Sequence, residues 1–237
     1  MDMNTMYTSV GHLQLKQSRA GEPYPVVMLN RREHLMKPAE LVLWSRLCWR
    51  FQDLARLKME YETAAGQASL PYREPGAACF DHVLARLQAR GLIAHGAGDT
   101  QVEALYDLLS NLYIAPIDDG FWRRLTAIPK LVLRRRVSCD DAGRLLRKDR
   151  PTAQEQRVLT LAKQAMLSTA ELIKCEENDV QDVSNGDRIL DALYYDDETT
   201  CYNIAHLMRR SPKRDEVVLA VANLYLRKQI VLQRASL

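Results

Sequence analysis

The residues best suited to do chemistry lie between Arg209 and Val217, where Arg209, Arg210, Lys213 and Arg214 flank Ser211 and Pro212. Serine is a preferred helix N-cap and proline suits the first helical position, so the spacing predicts a helix starting at Ser211 with a cationic, exposed first turn. Val217, Val218, Val221, Leu224 and Tyr225 continue it as an apolar stripe at helical spacing. Cations placed this way suit the phosphate backbone of a DNA duplex, and an arginine among them can also read guanine. Arg134, Arg135 and Arg136 would add sequence-independent backbone contacts. The competing reading is a surface charge cluster on an ordinary helix.

Other chemistry is hard to assemble from the chain. It has no phosphate-cradling G-x-x-x-x-G-K-[ST] loop, no dinucleotide glycine fingerprint, no H-E-x-x-H and no G-x-S-x-G. Cys79 and His82 form a lone C-x-x-H with no second ligand pair, and the five cysteines are far apart. The acidic run Asp196-Asp197-Glu198 precedes Thr199 and Thr200, where carboxylates cap a helix start more readily than they bind a metal. We therefore expect a non-enzymatic protein with no cofactor and no metal. No run of about 18 apolar residues exists, and the first residues lack a signal-peptide pattern, so the expectation is a cytoplasmic protein without a membrane partner.

Net charge is only +3, but it is unevenly spread. Residues 121 to 150 hold ten basic against three acidic side chains, residues 171 to 201 are acidic, and the stretch from Tyr202 turns basic again. Such alternation fits either phosphate contact or docking of one unit on another.

The elements that would position these groups can be traced from the N-terminus. His12-Leu13-Gln14-Leu15-Lys16, Tyr24 to Leu29 and Arg32 to Met36 read as three strands of a meander, separated by turn signals at residues 20 to 23 and 30 to 32. Helices are expected from Pro38 through Phe51, from Asp53 to Thr63 and from Phe80 to Arg90, the last ended by Gly91 before Leu92-Ile93-Ala94. Residues 99 to 183 read as helical, including a helix from Asp99 to Leu112 and a long one from Thr152 to Lys174. Segments Asp187 to Tyr195 and Thr200 to Met208 precede the basic helix, and Gln229 to Leu232 is β-like. The expected fold is mainly α, with α+β ends: residues 1–98, a helical connector and candidate dimerisation region over 99–183, and residues 184–237.

The strand and helix order at residues 12 to 94, carried by Val26 to Asn30, Ala39 to Arg50 and Phe80 to Ile93, resembles the winged-helix module of PqqD-like peptide-recognition elements. The resemblance implies a peptide held as an added strand at Glu33, His34, Leu35 and Met36, against the exposed side of the helix bearing Arg86 and Arg90. The C-terminal order of three helices and a strand resembles winged-helix transcription regulators. Together these imply tandem winged-helix modules acting as a DNA-binding regulator on double-stranded DNA, with a homodimer matching a palindromic site. The alternatives are a peptide or protein adaptor, or a tandem winged-helix assembly or replication protein.

Overall fold

The computed structural model describes residues 4–18, 21–67, 79–117, 150–196 and 198–234. The chain begins with β1 (Asn4–Ser9), β2 (His12–Gln17), β3 (Pro23–Leu29) and β4 (Arg32–Leu35). Helices α1 (Pro38–Leu47), α2 (Leu54–Gln67) and α3 (Phe80–Ala89) follow, then β5 (Ile93–Gly98), α4 (Gln101–Leu109) and β6 (Leu112–Pro116). The second half contains α5 (Ala153–Gln164), α6 (Thr169–Glu177), α7 (Gly186–Leu193), α8 (Ile204–Leu207), a 3-10 turn at Met208–Arg210, α9 (Arg214–Leu226) and β7 (Ile230–Arg234).

Helix makes up 49% and strand 22% of the described residues, which corrects the mainly α expectation to a mixed α+β fold. The difference comes from strands that long-range pairing creates. β1 pairs antiparallel with β5, from Asn4 opposite Gly98 to Ser9 opposite Ile93. β6 pairs antiparallel with β7, from Leu112 opposite Arg234 to Pro116 opposite Ile230. The meander is present as a three-stranded sheet in the order β2-β3-β4.

Local signals explain the helix boundaries. The long helix expected from Thr152 to Lys174 is two helices, because Ala165 is extended (φ −146°, ψ 157°) and Ser168 starts α6 with a capping box. The Ser168 hydroxyl accepts from the Glu171 N–H while the Glu171 carboxylate accepts from the Ser168 N–H, a reciprocal pairing that outweighs continuing the helix. The helix read from Asp99 to Leu112 likewise ends at Leu109, and Leu112 opens β6. Gly91 (φ +70°) ends α3 as expected, with the Leu92 N–H returning to the Leu87 carbonyl. Gly96 is a different requirement: a Cβ there would lie 2.6 Å from the Ala104 carbonyl oxygen, so only glycine lets β5 lie this close to α4.

One core cluster includes Tyr7, Leu43, Trp44, Leu87, Leu109, Ile173, Val218, Tyr225 and Leu232, and so joins the first strand to the last. Tyr225 is its polar centre. The buried Tyr225 hydroxyl accepts from the Trp49 N–H (3.0 Å) and the Thr8 hydroxyl (3.0 Å), and donates to the Ser9 carbonyl (3.2 Å). The Thr8 hydroxyl can turn to the Arg50 carbonyl at 2.8 Å, but the Trp49 N–H would have to give up its acceptor in the interior. Tyr225→Phe is expected to lower unfolding free energy by about 1–3 kcal/mol in urea titrations, well beyond the effect of deleting one exposed hydroxyl.

Candidate functional site

The predicted DNA-contacting residues near α9 gather at one end of that helix, but with a geometry different from the expected one. Ser211 is not the α9 cap: it closes the 3-10 turn, and its hydroxyl accepts from the Lys213 N–H. Pro212 lies in the connecting turn, Lys213 takes the N-cap position and α9 starts at Arg214. The local signals place the start too early because Arg209 of the 3-10 turn is tied to Tyr106 and Asp107 of α4, which fixes the entry of the helix. The Arg209 guanidinium bridges to Asp107 at 3.2 Å and stands 5.9 Å from the Tyr106 ring centre. Arg214 stands 5.8 Å from the centre of the same ring, and donates to Asp215 (2.6 Å) and the Arg209 carbonyl (2.9 Å).

Burial pushes the Tyr106 hydroxyl up to about 12, against the opposing pull of Arg209 and Arg214. Lys213 pairs with Glu216 at 3.4 Å. Among the described residues only Arg210 of this group is exposed without an ion pair. The body of α9 is covered nearly all round: Val217, Val218, Ala220, Val221, Ala222, Leu224 and Tyr225 are buried, leaving a narrow exposed line of Leu219, Asn223 and Leu226. A recognition helix needs an exposed polar face to enter a major groove, so this helix can offer only its first turn. Arg134, Arg135 and Arg136 lie outside the described residues.

The N-terminal candidates form a more developed site. Asn30 and Arg31 both have positive φ (50° and 63°), the backbone of a tight two-residue hairpin turn that lays β4 against β3. β4 pairs with β3 from Arg32 opposite Leu29 to Leu35 opposite Val26, and no strand pairs with its other side among the described residues. Glu33 ion-pairs with Lys16 of β2, and His34 is half-buried. Burial, then the charges of Arg90 and Arg32, hold the His34 imidazole below its usual range, so it stays neutral more readily. Leu35 is 66% exposed. Met36 departs from the expectation: it follows the strand and packs against the core.

Beside this edge, Arg86 and Arg90 stand one turn apart on α3 and at its end, and converge on Glu40, whose side chain is only 1% exposed. Arg86 meets one carboxylate oxygen at 2.6 Å; Arg90 meets the other at 3.0 Å, where the Lys37 N–H also donates at 2.8 Å. Arg90 then donates to the Leu35 carbonyl at 2.6 Å. These bonds link the end of the edge strand, the start of α1 and the exposed side of α3. The sequence does not single out Glu40. Its only signal there is a carboxylate two residues after Pro38, which marks a helix start and says nothing of the arginines that meet it.

The remaining candidates fall apart. Cys79 and His82 are both exposed, and no group of three or more His, Cys, Asp or Glu that could hold a metal ion occurs among the described residues. Asp196 accepts from the Thr199 N–H at 2.5 Å and pairs with Lys174, so it caps a turn; Asp197 lies outside the described residues. No described helix is long and apolar enough to cross a membrane. Comparison with protein-family models, with curated proteins and with solved structures finds no match to this chain.

Glu40→Gln keeps the shape of the side chain but leaves Arg86 and Arg90 without their counter-ion. Because both guanidiniums are about 30% exposed, the expected loss is below that of a fully buried pair, at about 2–3 kcal/mol in chemical denaturation. A loss comparable to that of an exposed pair, under about 1 kcal/mol, would mean that the guanidiniums are held by something other than Glu40.

Proposed function

We propose that the protein binds an extended peptide segment of a partner by strand addition at the outer edge of β4, acting as a non-enzymatic adaptor. The observation that carries this reading is the guanidinium of Arg90, fixed by buried Glu40 and hydrogen-bonded to Leu35 at the end of an open edge strand. An open edge presents unpaired backbone donors and acceptors, and natural proteins normally cover or blunt such an edge. Here Arg90 takes the Leu35 carbonyl, but no strand pairs with the rest of the outer side of β4 among the described residues, and beside it stands a pre-oriented arginine pair, an arrangement in which the strand edge gives affinity and the neighbouring side chains give choice. Residues 12 to 94 act in this reading as the peptide-recognition winged helix that the sequence resembles, in the cytoplasm, where Cys48, Cys79, Cys175 and Cys201 remain thiols.

Charge indicates the class of peptide. Arg31, Arg32, Arg86 and Arg90 border the edge, whereas Glu33 is engaged by Lys16 and Glu40 is shared by two arginines. The edge therefore favours an extended segment that alternates apolar residues, one of them against Leu35, with acidic ones. Fluorescence anisotropy of the full chain with a labelled Val/Glu-alternating peptide should saturate. The same peptide with lysine for glutamate, or with proline at alternate positions, should not. Arg32→Glu, at an exposed position, is expected to weaken binding about tenfold, or about 1.4 kcal/mol. Equal binding of the acidic and lysine peptides, or none of either, would remove this reading.

A second reading, favoured by the exposed Arg210 beside the Arg209 and Arg214 cluster, is a tandem winged-helix transcription regulator binding duplex DNA as a homodimer. In it Arg210 and Lys213 contact phosphates. Binding to duplex from upstream of the gene should fall with salt, and Arg210→Glu with Lys213→Glu should flatten that slope by roughly one for each phosphate no longer neutralised. Absence of binding at low salt would dismiss it.

A further inference from the structure

We infer that copies of this chain associate head to tail, α7 of one copy seating in the groove between α1 and α2 of the next. The groove has a volume of about 350 Å³ and is lined by Arg46, Arg50, Met59, Glu60, Thr63 and Ala64. Its apolar part is Met59 and Ala64, and its rim is cationic. Met59 is 61% exposed, a large apolar side chain left in water. Arg46 is exposed with no ion pair among the described residues, and Arg50 makes only a 3.4 Å contact to Glu60, which also pairs with Arg56. With Arg46, Arg50 and Arg56 against Glu60, the rim keeps an excess of positive charge.

The complementary element is on the same chain. α7 packs chiefly on α6 and is otherwise exposed. Asp187, Leu190 and Asp191 occupy positions i, i+3 and i+4, so they form one outward face with two carboxylates a helical turn apart around a leucine that is 58% exposed. Asp187 and Asp191 carry no ion pair among the described residues, while the neighbouring Arg188 is engaged by Asp182. Two carboxylates around an apolar side chain match two guanidiniums around Met59 and Ala64. The acidic face of α7 repels phosphate and suits a cationic protein surface instead.

The two surfaces are different patches, so the contact is heterologous and propagates into rings or short open chains rather than closing as a two-fold dimer. A helix about 12 Å long buries well under the ~1,200 Å² of a standard stable interface, so the association is weak and exchanges rapidly. This contact uses none of the β4 edge residues and stands whether or not a peptide binds there.

Sedimentation velocity of the full chain over a wide concentration range tests it. The weight-average sedimentation coefficient is expected to rise with concentration at low salt and to return to the monomer value in 1 M salt, where the screening length falls to about 3 Å. Asp187→Lys with Asp191→Lys, and separately Arg46→Glu with Arg50→Glu, should each give monomers with unchanged circular dichroism. Mixing the two variants should restore association, because each supplies the partner the other lacks. Monomeric wild-type protein at low salt would overturn the inference, and so would variants that associate alone or fail to associate when mixed.

Discussion

The hydroxyl of Tyr225 is the point on which the fold closes. It lies in α9 near the end of the chain, yet its partners are the first strand, through Thr8 and Ser9, and the corner after α1, through the Trp49 N–H. That corner is not relaxed: Trp49 has a φ of +55°, in the left-handed region that a bulky residue rarely adopts. The Trp49 N–H needs a partner in this conformation, and Tyr225 supplies it. Lys228, 5.5 Å from the Trp49 ring centre, covers the same corner, and burial draws its ammonium below the usual lysine range. Cys48, pushed up to about 12 by burial, stays a thiol in this interior and acts as packing rather than as a nucleophile.

The same closure reaches the edge strand. The Gly11 N–H donates to the Leu232 carbonyl of β7, the Asn30 N–H donates to the Gln233 side chain, and the Asn30 amide reaches the Arg234 carbonyl. The hairpin turn that places β4 is therefore held by the last strand. Since β7 also pairs with β6, residues near positions 30, 115 and 232 share one network. The edge is held in place because distant parts of the chain meet behind it, and a strand edge ordered beforehand would lower the entropic cost of the proposed strand addition.

What could be read from the sequence, and what could not, divides along the range of the interactions. β2, β3, β4 and the Gly91 stop of α3 were legible because alternation, turn residues and a helix-ending glycine act over a few positions. β1 and β6 were not, because Asn4–Ser9 and Leu112–Pro116 become strands only by pairing with residues some 90 and 120 positions away. The break at Ala165 carried a local signal, the Ser168 and Glu171 capping pair, that apolar continuity from Leu159 to Ile173 concealed. In the candidate edge, Leu35, Arg86 and Arg90 came only through the resemblance to peptide-recognition winged helices, which rests on the order of strands and helices. Their organiser, Glu40, was not, since a buried carboxylate shared by two arginines has no sequence spacing of its own.

That sharing decides what the edge can still do. Each guanidinium has five N–H donors, and the bonds of Arg86 and Arg90 to Glu40 and Leu35 engage only three of the ten. One carboxylate also cancels only one of the two charges. Glu40 thus fixes the direction of the pair without saturating it, leaving a net positive, donor-rich surface beside a strand edge that no other strand pairs with among the described residues. An incoming acidic segment would meet donors already oriented, whereas at Tyr106 the charges of Arg209 and Arg214 are absorbed by Asp107, Asp215 and the aromatic face. Two arginine pairs of similar composition thus differ in availability, because one shares a single buried carboxylate and each member of the other has its own.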